Sequence, residues 1–131
     1  MAWKTTRKYK NTPVYECEHC DMHYEEHRPR FCIQCKQEDF THHASLGEFR
    51  RWRSLQLLEK GKYISRLRRQ VRYPVKINGI KIFDYVADFD YYSRGKHIVE
   101  DFKGVKTATF RLKKKGFEAY YGKEITITTA G

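Results

Sequence analysis

The chain has 131 residues, with 27 Lys and Arg against 16 Asp and Glu, a formal charge of +11 and 40% hydrophobic residues. That length suits one domain with a small appendage, and the mixed charge with 15% aromatics argues against a disordered chain. No apolar run approaches the roughly 20 residues of a membrane span, and the excess of positive charge points to a polyanionic partner, nucleic acid before membrane.

Residues 1–14 are basic and polar and end near Pro13, which reads as an N-terminal arm. They lack the apolar core of a signal peptide, so an intracellular protein with reduced cysteines is expected. Residues 15–40 hold all four cysteines, as Cys17-Glu-His-Cys20 and Cys32-Ile-Gln-Cys35. Two C-x2-C pairs offer four thiolates to a tetrahedral structural Zn²⁺, and a segment this short needs a metal to fold. The module resembles a zinc ribbon. His19, His23, His27, His42 and His43 lie around it and are expected to be exposed or to face phosphates.

Residues 41–131 form the second region. Residues 45–60 read as a helix, because Ser45 and Glu48 make a capping box and Gly61 is a stop. Phe49, Trp52, Leu55 and Leu58 fall on one stripe. Glu48 lies inside that stripe and needs a partner there, as a cap or as part of a site. Glu59 is expected to reach solvent beside Gly61. Residues 73–77 read as a strand, Asn78-Gly79 as a two-residue hairpin turn, and 80–92 as the second strand. Residues 93–95 form another turn, 97–103 a third strand, 107–121 a helix ended by Gly122, and 124–128 a last strand. The fold class is α+β, in the order αβββαβ.

The hairpin 85–104 carries five carboxylates. On alternating strands Val99, Asp101 and Lys103 share one face, while Glu100 and Phe102 take the other. On the second strand Asp84, Val86, Asp88 and Asp90 share a face, opposite Phe83, Tyr85, Ala87, Phe89 and Tyr91. A two-residue turn at Arg94-Gly95 sets Asp88 opposite Asp101, with Cβ atoms roughly 4.5–5.5 Å apart. Like charges so placed destabilise a sheet, and a divalent cation between them removes the repulsion. Hard oxygen ligands suit Mg²⁺ or Mn²⁺. Lys103 is placed to orient a water or to neutralise charge on a phosphate.

A helix with Glu48, a hairpin with Asp88, then Asp101-Phe102-Lys103, a helix and a strand resembles the PD-(D/E)xK nuclease superfamily over residues 45–128. More narrowly, Ser45-Leu-Gly-Glu48, Leu67-Arg-Arg-Gln70, Asn78-Gly79, Ala87-Asp88-Phe89 and Val99-Glu-Asp-Phe-Lys-Gly104 resemble small phage-encoded nucleases related to Holliday junction resolvases. The resemblance implies a restriction-endonuclease-like core. It implies Asp88 and Asp101 as metal ligands, Glu48 as the helix carboxylate completing the metal site, and Lys103 as the catalytic lysine. Ala87 stands where the name-giving proline would be, and Asp101 replaces the commoner Glu. Glu100 is the rival ligand.

The function implied is a Mg²⁺-dependent endodeoxyribonuclease on branched DNA, in phage DNA recombination or processing, in the host cytoplasm if phage-encoded. A homodimer is expected, since cutting both strands of a junction needs two sites. Arg68, Arg69, Gln70, Arg72, Lys106, Arg111, Lys113, Lys114 and Lys115 are the candidate DNA contacts, as phosphate neutralisers and, for Gln70, as a group orienting water or bases. Two alternatives stay open. One is a non-catalytic zinc-ribbon DNA-binding protein that keeps the fold. The other is an RNA-processing or translation-associated ribbon protein, which leaves the carboxylate hairpin unexplained.

Overall fold

Two sheets and two helices make up the computed structural model, which describes residues 12–129. The chain divides into two compact units between Arg50 and Arg51. Among the described residues no helix is long and apolar enough to cross a membrane.

The N-terminal unit holds β1 (Val14–Cys17), β2 (His23–Glu25) and β3 (Phe40–His43), an antiparallel sheet in the order β2-β1-β3. Val14 is fully buried and pairs with both Glu25 and His43, so the expected arm is already sheet at its last residue. The rest of that arm up to residue 11 lies outside the described residues. His43 departs from the expected exposure. It is buried, its Nε2 lies 3.1 Å from Glu16 Oε1, and its ring packs on Phe49. His23 packs on Phe49 too, and His19 bonds Asp39. His19, His23, His27 and His42 are exposed, as expected.

Helix α1 (Leu46–Lys60) begins in this unit and runs into the next. Ser45 caps it, with Oγ accepting from the Glu48 amide at 3.1 Å.

In the second unit β4 (Ser65–Ile77), β5 (Ile80–Ser93), β6 (Lys96–Phe102) and β7 (Ile125–Thr128) form one sheet in the order β4-β5-β6-β7. Helix α2 (Ala108–Tyr121) lies between β6 and β7 in the chain. The first three strands are antiparallel neighbours, and β6–β7 is parallel. The order αβββαβ read from the sequence is the observed one. Thr107 caps α2 by accepting from the Phe110 amide, and Gly122 ends it at φ 62.

Strand β4 starts eight residues before its expected start, at Ser65 rather than Tyr73. Its inward positions include Arg69, which disguises the alternation. Leu67 and Arg69 are half-buried there, as are Val71 and Tyr73. Glu59 is not simply solvated: its Oε2 accepts from the Leu67 amide at 2.8 Å. That amide lies within a register shift between Ser65 and Arg68, where the strand ladder cannot serve it.

Two apolar clusters flank this sheet. Val75, Tyr85, Ala87, Val99 and Ile125 pack with Phe117 of α2. Ile64, Phe89 and Tyr91 pack with Leu55 of α1, joined by Trp52 of the same helix and by Leu67, Ile98 and Phe102. Burying Phe117 fully contributes roughly 1.5–3 kcal/mol. Gly116 lets α2 approach closely, since a Cβ there would stand 2.8 Å from the Phe83 ring.

Along β6 the sides alternate, with Val99 under α2 and Ile98 and Phe102 under α1. Along β5 they do not. Tyr85 and Ala87 belong to the α2 side, but Phe89 and Tyr91 belong to the α1 side. The expectation that these four share a face is therefore corrected: the strand changes sides at Asp88. Opposite this point, between the pairs Arg69↔Phe89 and Val71↔Ala87, Gln70 has φ 52. A residue in the left-handed region twists a strand sharply, and the side chains beyond it re-aim.

Candidate functional sites: a four-cysteine centre and an aspartate pair

The C-x2-C pairs come together through two tight loops. The Cys17 amide donates to Met22 O and the Cys32 amide to Gln37 O, both returning the chain within a few residues. Lys36, at φ 66, closes the second loop. The four Sγ atoms lie within 4.8 Å of one another, with Cys17–Cys35 and Cys20–Cys32 both at 3.5 Å. Four thiolates about 2.3 Å from a tetrahedral ion have edges of about 3.8 Å, so the cluster is sized for a structural metal such as zinc. Tyr24 Oη donates to Cys32 Sγ at 3.3 Å and accepts from the Ile33 amide. That hydrogen bond is the chief reason the Cys32 thiol is pulled down to about 6. The His19 amide donates to Cys17 Sγ at 3.4 Å. Tyr24 was not singled out from the sequence, where one aromatic among several carries no mark.

The β5–β6 register is the one the Arg94-Gly95 turn dictates. Both turn residues have positive φ, 53 and 76, and the ladder runs from Ser93↔Lys96 to Phe89↔Glu100. The next position brings Asp88 and Asp101 together, and there side chains replace the ladder. The Asp88 amide donates to Asp101 Oδ1 at 3.0 Å, and Asp88 Oδ2 accepts from the Phe102 amide at 2.9 Å. Asp101 is 1% exposed, and its Oδ2 is buried without a hydrogen-bond partner. Gln70 Nε2 lies 3.4 Å from Asp88 Oδ1.

Burial pushes both carboxyls above the usual range. For Asp88 the Phe102 amide and then the Lys103 charge work against that rise, and for Asp101 the Lys103 charge and then the Asp88 amide. Lys103 is thus near both, with its Nζ 4.7 Å from the centre of the Phe110 ring. Asp101 and Lys103 open on a cleft of about 260 Å³, also lined by Asp84, Thr107 and Phe110. Neither Thr107 nor Asp84 belongs to a motif that would have marked it as a cleft residue in the sequence.

Glu100 is fully occupied elsewhere. It takes Arg51 bidentately at 2.7 and 2.8 Å and accepts from Tyr91 Oη at 2.7 Å and Thr128 Oγ1 at 3.2 Å. Asp90 is similarly bound by Arg68, Tyr73 and His97, which outweigh its burial and hold its carboxyl below the usual range. Glu48 lies in the first turn of α1, in the N-terminal unit, and is buried. Among the described residues, the four cysteines are the group of three or more metal-ligating side chains gathered this closely.

The candidate DNA contacts divide. Arg68 is committed to Asp90, Arg69 stacks over Trp52, and Lys114 pairs with Glu118. Lys113 lies over Phe83, and Arg72 is 3.7 Å from Asp84. Lys106, Arg111 and Lys115 are exposed.

The fold and the cysteine cluster define an α+β protein with four thiols gathered closely enough that they could hold a structural metal. Residues 33–130 match a family model described as "protein of unknown function (DUF1064)", and the chain belongs to that family. The match begins between Cys32 and Cys35, so three of the four cysteines precede it. No curated protein and no solved structure matches the chain.

Proposed function

We propose that the protein is a Mg²⁺- or Mn²⁺-dependent endodeoxyribonuclease acting on branched DNA, with a structural zinc at its four cysteines and a homodimer as its working form. The observation that carries this reading is the Asp101 Oδ2 atom, buried, ionisable and without a partner, beside Asp88 and Lys103. An orphaned carboxylate oxygen costs stability unless something cationic completes it.

Asp88 and Asp101 would hold the ion, with Glu48 as the further carboxylate that the nuclease resemblance assigns. When bound, the ion supplies Lewis-acid charge and a water of lowered pKa. Asp101 is held by the Asp88 amide so that Oδ2 stays aimed, and Asp88 is held by the Phe102 amide. Lys103 offsets negative charge at the cleft mouth, where a phosphate would sit. Exposed Lys106, Arg111 and Lys115 fit sequence-independent phosphate contact.

A second reading has one observation in its favour. Lys106, Arg111 and Lys115 are exposed and could hold phosphates whether or not the acids hold an ion. That suits a DNA-binding protein which keeps the fold without cutting.

The test is to incubate the zinc-loaded protein with four-way junction, flap, linear duplex and RNA, with Mg²⁺, Mn²⁺ or neither. Metal-dependent cleavage of branched DNA, lost in Asp101→Asn, is expected. Binding without cleavage under every metal condition would select the second reading.

A further inference from the structure

The tip of the β4–β5 hairpin breaks two rules of sheet construction at once. Beyond the last β5–β6 pair, residues 80–87 of β5 have β4 as their strand partner, so the hairpin runs on as a two-stranded ribbon. Its turn is tight, with Asn78 at φ 51 and Gly79 at φ 79. The last pair is Ile77↔Ile80, with the residues 61% and 67% exposed. The pair before it is Lys76↔Lys81, two like charges set directly opposite. Lys81 reaches Asp84 at 3.1 Å, whereas Lys76 makes no ion pair among the described residues. Ile82, the extra residue of a bulge, is exposed as well. An apolar groove of about 620 Å³ continues from this tip between the ribbon and α2, past Val75, Phe83 and Leu112, and Lys113 and Lys115 also line it.

Exposed isoleucines and opposed lysines each cost stability in water, and one partner relieves both. It must be apolar where the isoleucines enter and anionic on either side. An unstacked base step between two phosphate backbones has that composition. Two strands lie about 4.8 Å apart, narrow enough for a major groove about 12 Å wide or for a branch point. A protein partner would need an apolar knob ringed with acid, and a second copy of this +11 chain is poorly suited to supply it.

We propose that the β4–β5 tip is a DNA wedge: Ile77 and Ile80 insert into the base stack at a distorted or branched site while Lys76 and Lys81 hold the flanking phosphates. This rests on the DNA-binding part of the proposed function and not on cleavage.

The experiment uses the zinc-loaded full chain in Mg²⁺-free buffer and a four-way junction carrying 2-aminopurine at the branch. Wild-type binding is expected to raise the fluorescence as the base unstacks. Ile77→Thr with Ile80→Thr keeps β-branched residues at the tip, and should bind within about threefold of wild type while losing most of the rise. Lys76→Gln with Lys81→Gln should weaken binding several-fold and reduce the slope of log K against log salt by about two. Wild-type binding with no rise, or a full rise in the isoleucine variant, overturns the wedge. An isoleucine variant that keeps the DNA signal but loses self-association in sedimentation reassigns the tip to a second copy and overturns it equally. A rise with no cleavage on later addition of Mg²⁺ keeps the wedge and removes the nuclease reading. If either double variant fails to fold, the other decides.

Discussion

Asp88 and Asp101 hold each other in place through the backbone: the amide of Asp88 donates to the Asp101 carboxylate, and the Asp88 carboxylate takes the amide that follows Asp101. Two acids that should repel are instead tied by two hydrogen bonds to charged acceptors, each worth roughly 1.5–3 kcal/mol. Burial works the other way and favours the neutral form of each.

Metal affinity should therefore depend on pH. Both carboxyls titrate above their ordinary value in the folded, metal-free protein. For a raised carboxyl, the stability contribution is full below the unfolded value, near about 4, and is lost as pH rises through the folded value. An ion binds the deprotonated form, so Mg²⁺ or Mn²⁺ affinity should fall as pH is lowered through that folded value. Carboxyl ¹³C NMR with and without Mg²⁺ checks this, and the ion should move both titrations down.

Lys103→Gln should separate chemistry from binding. The Lys103 charge opposes the rise of both carboxyls, so its removal should push their titrations further up. Cleavage is expected to fall about a hundredfold or more, with junction affinity changed only a few-fold. The comparison is between single-turnover cleavage rates and gel-shift binding.

Glu100→Ala should damage the fold rather than the site. It strips a buried partner from Arg51, Tyr91 and Thr128 together. The expected cost is about 3 kcal/mol, read from denaturant unfolding. Mn²⁺ binding to the remaining folded protein should persist, whereas Asp101→Asn should lose it.

The cysteine centre should bind one zinc per chain, measured by elemental analysis. Stripping it should abolish the NMR dispersion of the β1–β3 sheet, since so small a unit depends on its metal. Tyr24→Phe removes the hydrogen bond to Cys32 while keeping the ring. A loss of roughly tenfold in zinc affinity is expected, by competition with a chromophoric chelator.

Local chemistry made part of this legible in the sequence. Asn78-Gly79 marks the β4–β5 turn, and Arg94-Gly95 fixes the β5–β6 register and with it the meeting of Asp88 and Asp101. Ser45, Thr107 and Gly122 mark helix ends by their capping chemistry. The side change at Asp88 was hidden because Tyr85, Ala87, Phe89 and Tyr91 are apolar on either side of it. A pattern with no polar residue at alternate inward positions cannot show a slip of phase. The commitment of Arg68 to Asp90 was hidden for another reason: it joins residues on two strands whose upper register shifts, so a basic run read as a DNA surface. The fate of Glu100 followed from alternation, but its four bonds come from three other elements.

The amide bonds at the aspartate pair also set a limit on valence. One oxygen of each carboxylate is already spent on the backbone, Asp101 Oδ1 and Asp88 Oδ2. The oxygens left are Asp101 Oδ2, which has no hydrogen-bond partner, and Asp88 Oδ1, 3.4 Å from Gln70 Nε2, so an ion there would lean on one oxygen from each. Ca²⁺ takes about six to eight oxygens and often a bidentate carboxylate, whereas Mg²⁺ accepts one or two carboxylates and keeps its waters. Discrimination between the two ions would then be written in main-chain amides, where no substitution of a ligand side chain would reveal it.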